Sequence, residues 1–316
     1  MTEPSAEPLG EARPPFSRKW VDLDGPVHYI DYGGPADAPV LLLVHGLGGS
    51  VLNWAAAGPP LAQSCRVLAV DLVGFGRTRS VGTSPTIDGN RRLLERFVDT
   101  VVGHPVVLVG NSMGGLLSLL VADARPDIVA GLVLVDPALP VGITAPPDPL
   151  VGLIFTGYAI PAVGNVVMAR RRSFMSAEAQ AKAILRLSSV DSHRIPSELW
   201  REHLALARER DESCPDADAE LVVAARSLLF VLAHRRRIDE LTRRMVVPVL
   251  LLHGAQDRLV PLAAARRVAA LNPLWRFEVA ENVGHMPQLE APDWAVGHIL
   301  DWLATEGDIA ARTARA

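Results

Sequence analysis

Short apolar runs, separated by polar and small residues, set the rhythm of this chain. The runs at 40–44, 66–70, 106–109, 131–135 and 247–252 are rich in Val and Leu and carry no alternation. Such unbroken runs predict strands buried on both faces, as a parallel sheet produces. A less apolar run at 275–279 predicts a further strand. Near the start, Trp20 to Leu23 and Val27 to Tyr32 flank Asp24-Gly25, which predicts a hairpin. Helical stretches alternate with the later strands, so the pattern predicts an α/β fold, a mainly parallel sheet with helices on both faces. The alternation stops after Asp136-Pro137-Ala138. From 139 to 240 the pattern is helical, as at 177–187, 198–210 and 219–232, and strands resume at 247. The predicted organisation is a polar, Pro-rich disordered tail at 1–16, a core at 17–138 and 241–305 interrupted by helices at 139–240, and a tail at 306–316.

The run at 106–109 leads into Gly110-Asn111-Ser112-Met113-Gly114-Gly115 and then into an apolar helical stretch. A G-x-S-x-G sequence between a strand and a helix predicts a tight, strained turn that pushes a serine hydroxyl outward. Gly110 and Gly114 leave room where a Cβ would strike the adjoining backbone. Ser112 also stands at a helix N-terminus, where free N–H groups and the dipole favour negative charge.

An attacking serine needs a base, and the base needs an orienting acid. His285 follows the strand predicted at 275–279, and Asp257 follows the one at 247–252, so both are expected on loops past strand ends. Asp136 also follows a strand and is a rival for the acid.

In its motifs the chain resembles the α/β-hydrolase-fold serine hydrolases. The resemblance runs from about Trp20 to about Leu303 and rests on four motifs in order. Besides the serine turn and the Asp257–His285 pair, these are His45-Gly46-Leu47-Gly48-Gly49 and Asp71-Leu72-Val73-Gly74-Phe75-Gly76-Arg77-Thr78. The chain order Ser112, Asp257, His285 is that of this fold. The resemblance implies a Ser112–His285–Asp257 triad, with Asp-Arg-Leu-Val-Pro at 257–261 favouring Asp257 over Asp136. It implies an oxyanion hole from the backbone N–H groups of Leu47 and Met113, and a helical cap inserted after the sixth strand. His45, Asp71 and His253 are expected to shape loops. The activity implied is hydrolysis of carboxylic esters through an acyl-enzyme, with no cofactor and no metal.

Composition narrows this little further. The net charge of −4 offers no attraction to nucleic acid. Two cysteines make no disulfide framework, with Cys65 expected beside a strand and Cys214 in a polar loop. The first fifteen residues contain Glu3, Glu7 and Glu11 and no apolar stretch of the signal-peptide kind, so a cytoplasmic enzyme is expected. The uncharged segment at 149–169, followed by Arg170-Arg171-Arg172, is long enough to cross a membrane. Gly152, Gly157, Pro161 and Gly164 interrupt it, so it is read as apolar cap helices over the substrate cleft, without stable membrane insertion. Ile154 and Phe155 from this segment, with Met286, are the expected substrate contacts for a small-molecule ester.

The serine turn also resembles that of carbon–carbon bond hydrolases acting on aromatic ring-fission products. Those usually have Ser-Gly-Pro-Gly where this chain has Leu47-Gly48-Gly49-Ser50, and Trp where it has Met286. A ligand-binding member with little turnover is the non-enzymatic alternative, disfavoured by the intact triad. The sequence leaves the oligomeric state open.

Overall fold

A computed structural model of the chain describes residues 17–141, 148–160, 174–306 and Ile309. The tail expected at 1–16, nearly all of that at 306–316, the latter part of the uncharged segment and Arg170-Arg171-Arg172 lie outside the described residues.

Eight strands form one sheet in the order β1-β2-β4-β3-β5-β6-β7-β8. They are Ser17–Asp22, Pro26–Gly33, Val40–Val44, Arg66–Val70, Val106–Asn111, Val129–Val135, Val249–Gly254 and Arg276–Ala280, β1 to β8 in turn. The hairpin turns at Asp24 and Gly25, both at positive φ (62° and 136°). Pairing is antiparallel from β1 through β2 to β4 and parallel from there to β8. The chain moves outward from β3 in both directions, to β4 on one side and β5 on the other. At such a switch point the loops leaving the strands' carboxyl ends splay apart and open a crevice.

Alternate residues of the central strands feed two cores. Leu42, Val44, Leu108, Leu132, Leu134 and Leu251 pack on one face with residues of the helices Ile87–Phe97 and Met113–Ala124. Leu41, Leu43, Val107, Val109, Leu250 and Leu252 pack on the other with Trp54, Ile299 and Trp302. Burying one leucine side chain is worth about 1.5–3 kcal/mol, so this double-sided burial holds the strand ends in fixed relation.

Between β6 and β7 lie the helices Pro149–Ala159, Ala177–Ser188, Ser197–Ser213, Ala217–Ala233 and Arg235–Arg244. Among the described residues no helix is long and apolar enough to cross a membrane. Both cysteines are buried and free; Cys214 closes the end of the helix Ser197–Ser213 rather than sitting in an open polar loop.

Candidate active site

The loops after β3, β5, β6, β7 and β8 converge on the crevice. Ser112 follows β5 with φ +55° and ψ −119°, a left-handed conformation unfavourable to any residue with a Cβ. Its backbone is pinned on both sides: Ser112 N donates to Val135 O (3.0 Å), and Ser112 O accepts from Ala138 N (2.8 Å). The turn is too tight for larger residues. A Cβ on Gly110 would lie 2.3 Å from Gly114 O, and one on Gly114 would lie 2.3 Å from Val44 O. Gly114→Ala is therefore expected to force β3 and the elbow helix apart, at a cost of about 1–3 kcal/mol or more. A lower Tm by calorimetry, with loss of activity, is the result that checks it.

His285 and Asp257 meet as the sequence predicts. His285 Nδ1–H donates to Asp257 Oδ2 at 2.7 Å, while Asp257 Oδ1 accepts from Leu259 N (2.7 Å) and Val260 N (3.1 Å). Burial opposes charge on Asp257, but His285 outweighs it and holds the carboxyl below the usual carboxylate range. The bond at Nδ1 leaves Nε2 of His285 as the free ring nitrogen. No hydrogen bond joins Ser112 to His285 among the described residues, and such bonds often tighten only around substrate.

Asp136 lies behind this pair, fully buried at φ +43°, accepting from Gly254 N (2.9 Å). Burial pushes its carboxyl well above the ordinary value, and the charge on Asp257 adds to the push. One oxygen each of Asp136 and Asp257 and a ring nitrogen of His285 fall within 4.8 Å of one another, a spacing that also suits metal ligands. The hydrogen bond is the better description, since two tetrahedral ligands at about 2.0–2.1 Å from a metal sit farther apart than 2.7 Å.

His45, Asp71 and His253 are structural, as their contacts make plain. His45 Nδ1–H donates to Gly46 O (2.8 Å) and Nε2 accepts from Leu72 N (3.0 Å), which fixes the loop carrying Leu47. Burial pushes the His45 ring down, consistent with this neutral form. Asp71 gathers Val51 N, Arg77 N and His28 Nδ1. His253 Nε2 lies 3.0 Å from Val260 O.

A cavity of about 540 Å³ opens over Ser112 and His285, lined by Leu47, Phe155 and Met286 among others. The helix Ala177–Ser188 offers it Ala177, Gln180, Ala181, Ile184, Leu185 and Ser188, spaced as one helical face. Met113 is fully buried at the first helical position after Ser112. Ile154 is the exception among the expected contacts. It is absent from the cavity lining and packs, together with Phe155, against Tyr158, Val222 and Ala225.

Three features had no clear signal in the sequence. Asn111 Nδ2 donates to Val135 O and to His285 O, both at 3.0 Å, tying the serine turn to the histidine loop. His285 N donates to Ser188 O at 2.7 Å. Glu290, buried, accepts from Gly284 N (2.8 Å) through one oxygen, and from Val190 N (2.9 Å) and Asp191 N (2.8 Å) through the other. The helical segment between β6 and β7 is thereby bonded to the loop that carries His285.

Comparison with known proteins agrees with this architecture. The family profile described as the alpha/beta hydrolase fold matches residues 39–292. Over 263 residues the chain is 31% identical to the pimeloyl-(acyl-carrier protein) methyl ester esterase of Aromatoleum aromaticum, covering 81% of this chain and 94% of that one. It is 26% identical over 275 residues to the 2-hydroxy-6-oxo-6-(2'-aminophenyl)hexa-2,4-dienoic acid hydrolase of Metapseudomonas resinovorans, covering 85% of each. In fold it is similar to the carboxylesterase of Bacillus subtilis, with a TM-score of 0.68, 22% identity and 91% of each chain covered.

Proposed function

We propose, from the premise that the chain belongs to the alpha/beta hydrolase family, that it is a cytoplasmic serine hydrolase of carboxylic esters with small to medium apolar substrates. The observation that carries this reading is the His285–Asp257 bond of 2.7 Å set beside a strained Ser112 under one apolar cavity. In this reading His285 Nε2 takes the proton of Ser112 as its oxygen attacks the ester carbonyl. Asp257 keeps the Nδ1–H tautomer and stabilises the imidazolium. The N–H groups of Leu47 and Met113 receive the oxyanion, each donor being worth about 2.7–4 kcal/mol. The protonated His285 then gives its proton to the leaving alcohol, and water releases the acyl group by the same steps in reverse. The chemistry needs no cofactor.

The cavity supports the choice of substrate class. Its walls from 151 to 155 and from 177 to 188 are uncharged where they line it, and its volume suits an ester of drug-like size. Each buried methylene is worth about 0.8 kcal/mol, a three- to fourfold gain. Preference among p-nitrophenyl esters should therefore climb from acetate with chain length until the cavity fills. Phe155→Asp should flatten that climb while slowing acetate little, and Ile154→Asp should flatten it less, since Ile154 does not line the cavity. The measurement is kcat/KM across acetate to decanoate for the three proteins. A flat wild-type series, or a Phe155 variant that slows acetate as much as octanoate, would set aside the apolar-ester reading. Faster turnover of a ring-fission dienoate than of any ester would favour carbon–carbon cleavage; the Metapseudomonas relative is named as a hydrolase of such a dienoic acid.

A further inference from the structure

Two buried atoms beside the His285–Asp257 pair lack the hydrogen-bond partners their chemistry demands: Asp136 Oδ2 and His253 Nδ1. Their neighbours define the remaining atoms. Gly254 N–H donates to Asp136 Oδ1, which is therefore an acceptor oxygen. Val260 O, which can only accept, lies 3.0 Å from His253 Nε2, so the hydrogen of that neutral imidazole is on Nε2. His253 Nδ1 is then a bare lone pair, 3.4 Å from Asp136 Oδ1. Burial holds His253 in its neutral form.

The groups facing Asp136 come from two loops, a strand and a short helix. His253 stands on β7, Asp257 on the loop after it, His285 on the loop after β8, and Glu290 on the short helix Pro287–Glu290. Among the described residues no lysine or arginine pairs with Asp136 or Asp257; of the groups facing Asp136, Arg194 reaches Glu290, at 3.9 Å. Two carboxylates in a dry site with one partner histidine do not both keep their charge. Asp257 has His285 and two backbone N–H groups to stabilise its charge, whereas Asp136 has one N–H and an oxygen with no donor near it. The asymmetry decides which of them holds a proton.

We propose that Asp136 is a neutral carboxylic acid whose Oδ2–H donates to the Asp257 carboxylate, a positioning residue that braces the orienting acid. The inference rests on the assignment of Ser112, His285 and Asp257 made above. Burial and the charge of Asp257, which raise the Asp136 carboxyl well above its ordinary value, act in the same direction. A second consequence follows. With Asp257 neutralised, Asp136 is the carboxylate left within reach of His285, and it ionises to supply the missing counter-charge.

Two measurements on the full-length protein test this. Asp136→Asn keeps an oxygen for Gly254 N–H, and asparagine tolerates a positive φ. Infrared spectra of wild type at pH 7, minus those of Asp136→Asn, should contain a protonated-carboxyl C=O band that shifts in D2O. A merely structural role would leave no such band, and its absence overturns the proposal. Kinetics give the second readout, as kcat/KM for an aryl ester in wild type, Asp136→Asn, Asp257→Asn and the double variant. Asp136→Asn alone should lose less than about tenfold. Adding it to Asp257→Asn should cost at least a further tenfold, more than it costs in wild type, because the reserve carboxylate is gone. Losses that simply multiply overturn the reserve role. Full activity of Asp257→Asn would instead refute the triad assignment, and the infrared band still decides the state of Asp136.

Discussion

Ser112→Ala should abolish ester turnover and covalent labelling by a fluorophosphonate while leaving the fold and its Tm near those of wild type. In the proposed mechanism the hydroxyl is the attacking group, so its removal eliminates the acyl-enzyme route altogether. What remains is the oxyanion site and substrate binding, which in serine hydrolases leave a residual rate about 10³–10⁴ over water. Stability should change little, because the backbone contacts that hold the turn, Ser112 N to Val135 O and Ala138 N to Ser112 O, survive the substitution. Alanine carries the same Cβ as serine, so the conformation at φ +55° is no worse for it. Substantial ester hydrolysis by Ser112→Ala, measured against a heat-denatured control, would remove the serine from its assigned role.

Asp257→Asn should lower kcat by about 10⁴ with a smaller change in KM. Asparagine preserves the volume and can still accept from Leu259 N and Val260 N, so the loop keeps its course. The side-chain amide, turned toward His285, offers N–H where the imidazole needs an acceptor. Nδ1–H then loses its partner, the tautomer with Nε2 free is no longer enforced, and the imidazolium of the transition state keeps only the more distant counter-charge that Asp136 can supply. Stopped-flow measurement of acylation would place the loss in the chemical step. A variant with wild-type kcat would move the orienting acid to another residue, Asp136 first.

Much of the fold was legible because burial on both faces of a parallel sheet writes itself as unbroken apolar runs. The runs at 40–44 and 66–70 are the strands themselves. Errors cluster at the ends and have local causes. Pro248 has no N–H to give the ladder, so β7 begins at Val249 rather than at 247. Gly110 and Asn111 read as turn residues, yet they pair with Leu134 and Val135 and carry β5 to the serine. Within the site, Ser112, Asp257 and His285 could be singled out because each stands in a local motif, and the structure brings His285 to within 2.7 Å of Asp257. Glu290 could not be. A glutamate after a short apolar stretch reads as surface, and two of the three donors that account for its burial lie about 100 residues away in sequence. Ile154 was harder to place for the opposite reason: on an uncharged helix nothing in the sequence separates it from Phe155, which lines the cavity while Ile154 does not.

The bonds from Ser188, Val190 and Asp191 to the histidine loop bear on how such an enzyme can diversify. A lid attached only at its two chain ends would be an interchangeable part: evolution or an engineer could exchange it to alter selectivity and keep the reactivity. Here the lid also serves as one jaw of the clamp on the base. Grafting a foreign segment between β6 and β7 removes three hydrogen bonds from around His285, unless residues 188–191 travel with the host. New selectivity in this chain is therefore more accessible through point changes on the inner face of Ala177–Ser188 than through wholesale transplantation.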